Sequence, residues 1–295
     1  MLIYFMVSMI RFLKEKQLKP AWIFDAGTLI WRIFFTSNNL LIGETRNPDK
    51  KSTSFFCIDL HSGKPLWQNI GFDESWWIGI ETVHEKWLIL HGYIRPDMPE
   101  HRGIRVIDIE SGKLLWKNDT LSYWFIDHEL LYAHKYLFEK HIACELDIIT
   151  GEILHENSDN LDQLREIQQK ISQKESERPP DVMFPEVFDP NDEHSAIRTT
   201  VQHITEGKAL EGWVEFLAYC GMLIVSHYRQ SQNPSDSSLL NNILSVYDLK
   251  NEKNLHNEII AEGVKVPSQD SFFIKDNLLL FIKHQNMLTA LQPWK

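Results

Sequence analysis

Residues 58–67 read IDLHSGKPLW and residues 107–116 read IDIESGKLLW, one ten-residue phrase written twice with its physical character kept. A third copy, LDIITGEILH, covers 146–155, and a weaker fourth, YDLKNEKNLH, covers 247–256. Each copy joins an apolar strand ending in Asp to a second strand through a short turn. Gly63, Gly112 and Gly151 supply the positive φ that such hairpin turns demand. The recurring Asp59, Asp108, Asp147 and Asp248 are read as turn-entrance carboxylates that accept from nearby backbone amides, not as catalytic acids or bases.

A second pattern surrounds each phrase, an aromatic residue followed by a dense apolar strand. Its copies are WRIFFTSNNLLIG at 31–43, WWIGIETVHEKWLILH at 76–91, YWFIDHELLYAH at 123–134, WVEFLAYCGMLIVSH at 213–227 and FFIKDNLLLFIKH at 272–284. Trp31, Trp77 and Trp124 recur at intervals of about 46 residues, which is the length of one four-stranded propeller blade. Trp213 and Phe273 are the anchors of the remaining copies. The fold class expected is all-β: a β-propeller with about five recognisable four-stranded blades, a sixth left open, plus a helical insertion.

The phrase from Asp59 to Trp67 and from Asp108 to Trp116 resembles the repeat of quinoprotein-like propellers, with Asp147 to His155 a partial match and Asp248 to His256 a poor one. The resemblance covers the chain except its first twenty residues and the stretch from about Ser158 to Gly212, and it points to an uncharacterised bacterial family of small propellers. It implies that Trp67 and Trp116 pack as wedges between neighbouring blades, with their rings mostly buried. The quinone-dependent dehydrogenases of that group need a larger ring, a calcium site and often an adjacent cysteine pair. This chain has no Cys-Cys step, so neither a quinone nor any other cofactor is expected.

The domain expected is a single propeller over 1–295, closed by an N-terminal strand near 20–25 that joins the C-terminal blade. LKPAWIF aligns with GKPLWQN, placing Trp22 against Trp67, and the C-terminal strands SFFIKDN, LLLFIKH and MLTALQP lack a fourth partner. Such closure removes sheet edges that would otherwise pair with other chains. Residues 158–212 break the pattern, as a helical insertion or a degenerate blade. Leu161, Leu164, Ile167 and Ile171 have helical spacing, Asp159 or Asn160 can cap the start, and Pro179 and Pro180 end it. This helix is expected beside the loop-bearing face, as a cap or lid. Asp189–Glu193 superficially resembles a calcium loop but lacks its Gly and final Glu, and reads as an exposed acidic loop.

A formal net charge of −11 opposes a nucleic-acid backbone or an anionic membrane as partner. Three separated cysteines, Cys57, Cys144 and Cys220, form neither a disulfide framework nor a zinc pattern and read as buried free thiols. The N-terminal MLIYFMVSMIRFLKEKQLK places its basic residues after the apolar run, the reverse of a secretory signal. A cytoplasmic location is therefore expected, with Met6 or Met9 as alternative natural starts.

Gly-rich phosphate loops, H-E-x-x-H and G-x-S-x-G are all missing from the sequence, and no catalytic residue or metal is assigned. One recurrence stands apart: His91, His134, His227 and His284 follow the dense apolar strand in four copies, with Glu44 near that place in the fifth. These five are the candidate ligand-binding residues. The leading expectation is a non-catalytic interaction propeller that holds a protein or small molecule on its loop-bearing face. The alternative is a metal-dependent or acid/base hydrolase or lyase using the same face.

Overall fold

A computed structural model describes residues 17–94, 99–137, 140–157, 161–176, 181–189, 195–210, 212–231 and 238–294. The apolar arm over residues 1–8, both proposed caps at 159 and 160, Pro179, Pro180 and most of the acidic loop at 189–193 lie outside the described residues. The chain divides into two compact units, residues 28–179 and residues 1–27 with 180–295.

The unit over 28–179 carries three four-stranded antiparallel sheets, each a meander of consecutive strands. The first blade contains β1's successors β2 (Leu29–Phe35), β3 (Leu40–Asn47), β4 (Ser52–Asp59) and β5 (Pro65–Ile70), where β1 is Trp22–Asp25. The second holds β6 (Ile78–His84), β7 (Trp87–Tyr93), β8 (His101–Asp108) and β9 (Leu114–Asn118). The third holds β10 (Ser122–Asp127), β11 (Leu130–Leu137), β12 (Lys140–Asp147) and β13 (Ile153–Asn157). Helix α1 (Leu161–Ser176) follows and lies against β10. Its Leu161, Leu164, Ile167 and Ile171 are the half-buried stripe, while Asp162, Arg165 and Glu166 face solvent.

In the other unit, β16 (Val214–Tyr219), β17 (Met222–Gln230), β18 (Leu240–Asp248) and β19 (Lys253–Val264) form the fourth meander. The fifth contains β20 (Phe272–Lys275), β21 (Leu278–Lys283) and β22 (Met287–Leu291), and β1 pairs antiparallel with β22 in the register Trp22↔Ala290 to Asp25↔Met287. This is an all-β propeller fold of five blades with a small helical insertion. Among the described residues no sixth sheet forms. The short β14 (Val182–Met183) instead extends the fifth sheet beside β20, and β15 (Glu186–Val187) extends the fourth beside β16. Two-residue strands have too few ladder bonds to found a sheet of their own. Helix α2 (Ser195–Ile204) completes the insertion and buries Val201 with Val214, Leu223 and Val225.

The turns obey the chemistry expected of them. Asp59 Oδ1 accepts from the Ser62 amide, Asp108 from Ser111, Asp147 from Thr150 and Asp248 from Asn251, each at 2.7–3.0 Å. Gly112 and Gly151 hold φ of +68° and +71°, and a Cβ there would strike the Trp67 and Trp116 rings at 2.8 and 2.5 Å. Each Trp of one blade therefore lies on the glycine turn of the next. The indoles also donate across that step, Trp67 Nε1 to Ile109 O at 2.6 Å and Trp116 Nε1 to Ile148 O at 2.8 Å. Both rings are mostly buried, as a wedge between blades requires, and keep a minor part of their surface in solvent on the outermost strand. Cys57 and Cys144 are buried, whereas Cys220 is exposed at the β16–β17 turn with φ of +48°.

Candidate metal centre

Three polar side chains of the second blade converge: Glu81 from β6, His91 from β7 and His101 from β8. Their ligand atoms all lie within 4.8 Å of one another. Local structure explains the convergence. Residue 81 is the extra residue of a β-bulge, since Ile80 pairs with Leu90 and Thr82 with Ile89. A bulge breaks the alternation of faces and re-aims one side chain, and here it turns the Glu81 carboxylate toward the two imidazoles. His101 opposes Tyr93 across the β7–β8 ladder, two residues beyond His91 on the same face.

The two rings stack with centroids 3.5 Å apart and planes 6° from parallel. Tyr93 meets both edge-on at 5.1 Å. Glu81 Oε2 is 2.8 Å from both Nδ1 atoms. Only His101 meets it in hydrogen-bond geometry. The His91 contact is close but misaligned, and among the described residues neither ring nitrogen of His91 has a hydrogen-bond partner although the residue is 2% exposed. Such orphaned buried nitrogens are costly, and a bound cation would satisfy them once the stacked rings turn so that both in-plane lone pairs meet it. Burial raises the Glu81 pKa, but the hydrogen bond from His101 and the close Nδ1 of His91 outweigh it and hold the carboxyl down at about 2. Burial pushes the His91 pKa below 6.5, with His101 adding to the effect against the pull of Glu81. At neutral pH the set thus offers one carboxylate and a neutral His91. Two imidazoles and one carboxylate fit a divalent first-row transition ion, zinc above all, with a coordination position left open. His101, the most exposed of the three at 37%, gives the entry side.

Glu44 stands next to this set, with its carboxylate already engaged. One oxygen meets Arg46 at 2.6 Å and the other accepts from the Ile80 amide at 2.8 Å. Arg46 continues to the carbonyls of Trp76 and Ile78, so this pair straps the first blade to the second. Gly79 makes room for the strap: a Cβ at that position would lie 3.2 Å from Arg46 Nη2, Glu44 Oε2 and His91 Nε2 alike.

The five residues singled out from sequence are divided between the two units, Glu44, His91 and His134 in one and His227 and His284 in the other. Glu44 and His91 come together, and His134 pairs with His141 inside the third blade at 3.2 Å. His227 is buried beside Arg229 in the fourth blade, lining a cavity. His284 is exposed in the β21–β22 turn with φ of +51°. Counted from the first residue of the second strand, Glu44, His91 and His134 are each fifth, His227 is sixth and His284 falls one beyond the strand's end. A step of one residue sends the side chain to the opposite face. Glu81 and His101 were missed by the sequence reading, yet a signal existed. His91-x-Tyr93 followed by His101 has a second copy in His134-x-Tyr136 followed by His141, with His141 opposite Tyr136.

Residues 36–116, which contain the whole set, match a family model described as Domain of unknown function (DUF4905). No curated protein matches the chain in sequence. Among solved structures, the chain is similar to the β-propeller domain of the Trilobed protease from Pyrococcus furiosus at 12% identity and a TM-score of 0.31, covering 91% of this chain and 71% of that one. An uncharacterized protein from Listeria monocytogenes is similar at 11% identity and a TM-score of 0.32, covering 91% and 96%. A structure of the tricorn protease matches at 9% identity and a TM-score of 0.29, and the chain spans 29% of its length. Likenesses of this size say nothing about activity. Among the described residues no helix is long and apolar enough to cross a membrane.

Proposed function

We propose that this protein is a ligand-binding propeller, not a hydrolase, and that its ligand site is built around a divalent transition ion, zinc by preference, held by Glu81, His91 and His101. The observation that carries this reading is the convergence of one carboxylate and two imidazoles within 4.8 Å, with the His91 nitrogens otherwise unsatisfied. A hydrolytic metal site also needs a free base beside the ion. The neighbouring carboxylate, Glu44, is consumed by Arg46 and the Ile80 amide, which supports binding over turnover. An open position on the ion would accept a donor atom from a small molecule or a partner's side chain. The Trp67–Gly112 and Trp116–Gly151 contacts support a quinoprotein-like origin for the blades, without quinone chemistry.

Calorimetric titration of the metal-free full chain with zinc, repeated with cobalt while recording visible absorption, tests the proposal. One tight equivalent of zinc and the absorption of a low-symmetry cobalt site are expected. No saturable binding, or binding unchanged in His101→Ala, would overturn it.

A further inference from the structure

A second site lies in the unit formed by residues 1–27 and 180–295. The end of α2 closes over strands β17–β19 and leaves a cavity of about 260 Å³, lined by Ile204, Thr205, Glu206, His227, Arg229, Ile243, Asn257 and Ile259. His227 and Arg229 are two apart on β17 and so project to one face. Ile243 lies opposite His227 on β18, and Ile259 lies opposite Ile243 on β19. One row of the sheet thus runs from an imidazole into an aliphatic wall, with a guanidinium beside it.

The polar groups in this cavity are unfinished. His227 is 3% exposed, and its Nδ1 has no hydrogen-bond partner among the described residues. Arg229 Nε is also buried without one. Burying donors unsatisfied costs far more than leaving them in water, and a guanidinium edge is shaped to take both oxygens of a carboxylate. Glu206 adds negative charge to the lining, answered by Lys208 at 2.7 Å. That arrangement tolerates one added negative charge near Arg229 better than two. Burial, with Arg229 nearby, pushes the His227 pKa down to about 4, so the ring is neutral at pH 7 and can donate from one nitrogen.

We propose that this cavity binds a small aliphatic monocarboxylate, its carboxylate on Arg229 and His227 and its branched or linear body against Ile204, Ile243 and Ile259. The volume lies below the range usual for drug-sized ligands, which suits a body of a few carbons. The site is separate from the Glu81 set and does not depend on a metal.

The test is calorimetric titration of the full chain with isovalerate, with inorganic phosphate in a parallel titration and circular dichroism to check each variant's fold. Saturable binding at one equivalent is expected, with phosphate binding more weakly. Arg229→Gln should weaken isovalerate by about tenfold or more. If that variant misfolds, Arg229→Lys serves in its place, because it keeps the charge and loses the planar fork, and it should still weaken binding. No saturable binding of isovalerate, equal affinity in the folded Arg229 variant, or phosphate binding as tightly as isovalerate would each overturn the proposal.

Discussion

The second and third blades carry the same frame and put it to different uses. Each has His at the fifth residue of its second strand, Tyr two residues later, and a second His opposite that Tyr: His91, Tyr93 and His101 in one, His134, Tyr136 and His141 in the other. Both also bulge at the matching place in their first strand, and there the blades part. The bulged residue is Glu81 in the second blade and Trp124 in the third. Glu81 draws two imidazoles onto one carboxylate oxygen. Trp124 instead covers His134 and His141, with ring centroids 6.1 and 5.7 Å away. Burial and the neighbouring His141 push the His134 pKa down to about 4. One side chain at a bulge thus separates a carboxylate-bearing cluster from an aromatic-capped pair.

The largest contrast between the two blades should appear in stability, at their outermost strands. Trp116 is mostly buried on the Gly151 turn, while His155 in the same register position is exposed. Trp116→Ala should cost about 3 kcal/mol, the low end for losing a large aromatic because part of the ring stays in solvent, and His155→Ala less than about 0.5 kcal/mol. Urea unfolding curves of both variants measure this, and equal costs would mean the indole is not a wedge.

Next in size is the metal contrast. Glu81→Gln should weaken zinc by about 100-fold, since a charged ligand counts for at least as much as the outer-shell groups that tune such sites. His134→Ala should leave zinc affinity unchanged, and a comparable loss there would place the ion elsewhere. Converting one blade into the other sharpens the point: Trp124→Glu should supply the missing carboxylate to His134 and His141 and raise the zinc stoichiometry from one to two. A variant that folds and still binds a single equivalent would show that the bulge residue alone does not decide the site.

The smallest effect is in titration. With its pKa lowered to about 4, folded His134 takes up its proton later than the same residue in the unfolded chain, whose value is near 6.5. Its contribution to stability is therefore present above about pH 6.5 and is lost as pH falls toward 4. Following the His134 ring resonances by NMR should show it neutral at pH 5.5. In Trp124→Glu the new carboxylate should shift that titration upward, and an unchanged midpoint would contradict the proximity of residue 124.

Much of this was legible in the sequence for local reasons. The Asp-to-Gly turns at 59–63 and 108–112 place their bonding partners within a few residues, so composition and spacing suffice to read them. The pairing of Trp22 with the last strand was legible too, because a C-terminal meander lacked one strand and an N-terminal phrase matched it. The histidines were harder. His91 and His227 look alike when counted from the apolar run, but the turn residues Glu85 and Cys220 begin their strands at different distances from them. Only the ladder register shows which face of its own blade each one takes.

What the sequence determined by itself is the repeated blade: strand periodicity, hairpin turns and the large aromatics Trp22, Trp67 and Trp116 of three outer strands, each fixed by residues close together in the chain. What the tertiary structure decided is which polar groups meet. Glu81, His91 and His101 come from three strands, and the meeting depends on a bulge that reverses the face of one residue. The cavity at His227 and Arg229 joins the end of a helix to three strands that follow it. Neither has a sequence period, because cross-strand register and a bulge set the distances between residues far apart in the chain, and the hydrophobic pattern of a strand is the same whether its one polar residue faces a cation, a carboxylate or water.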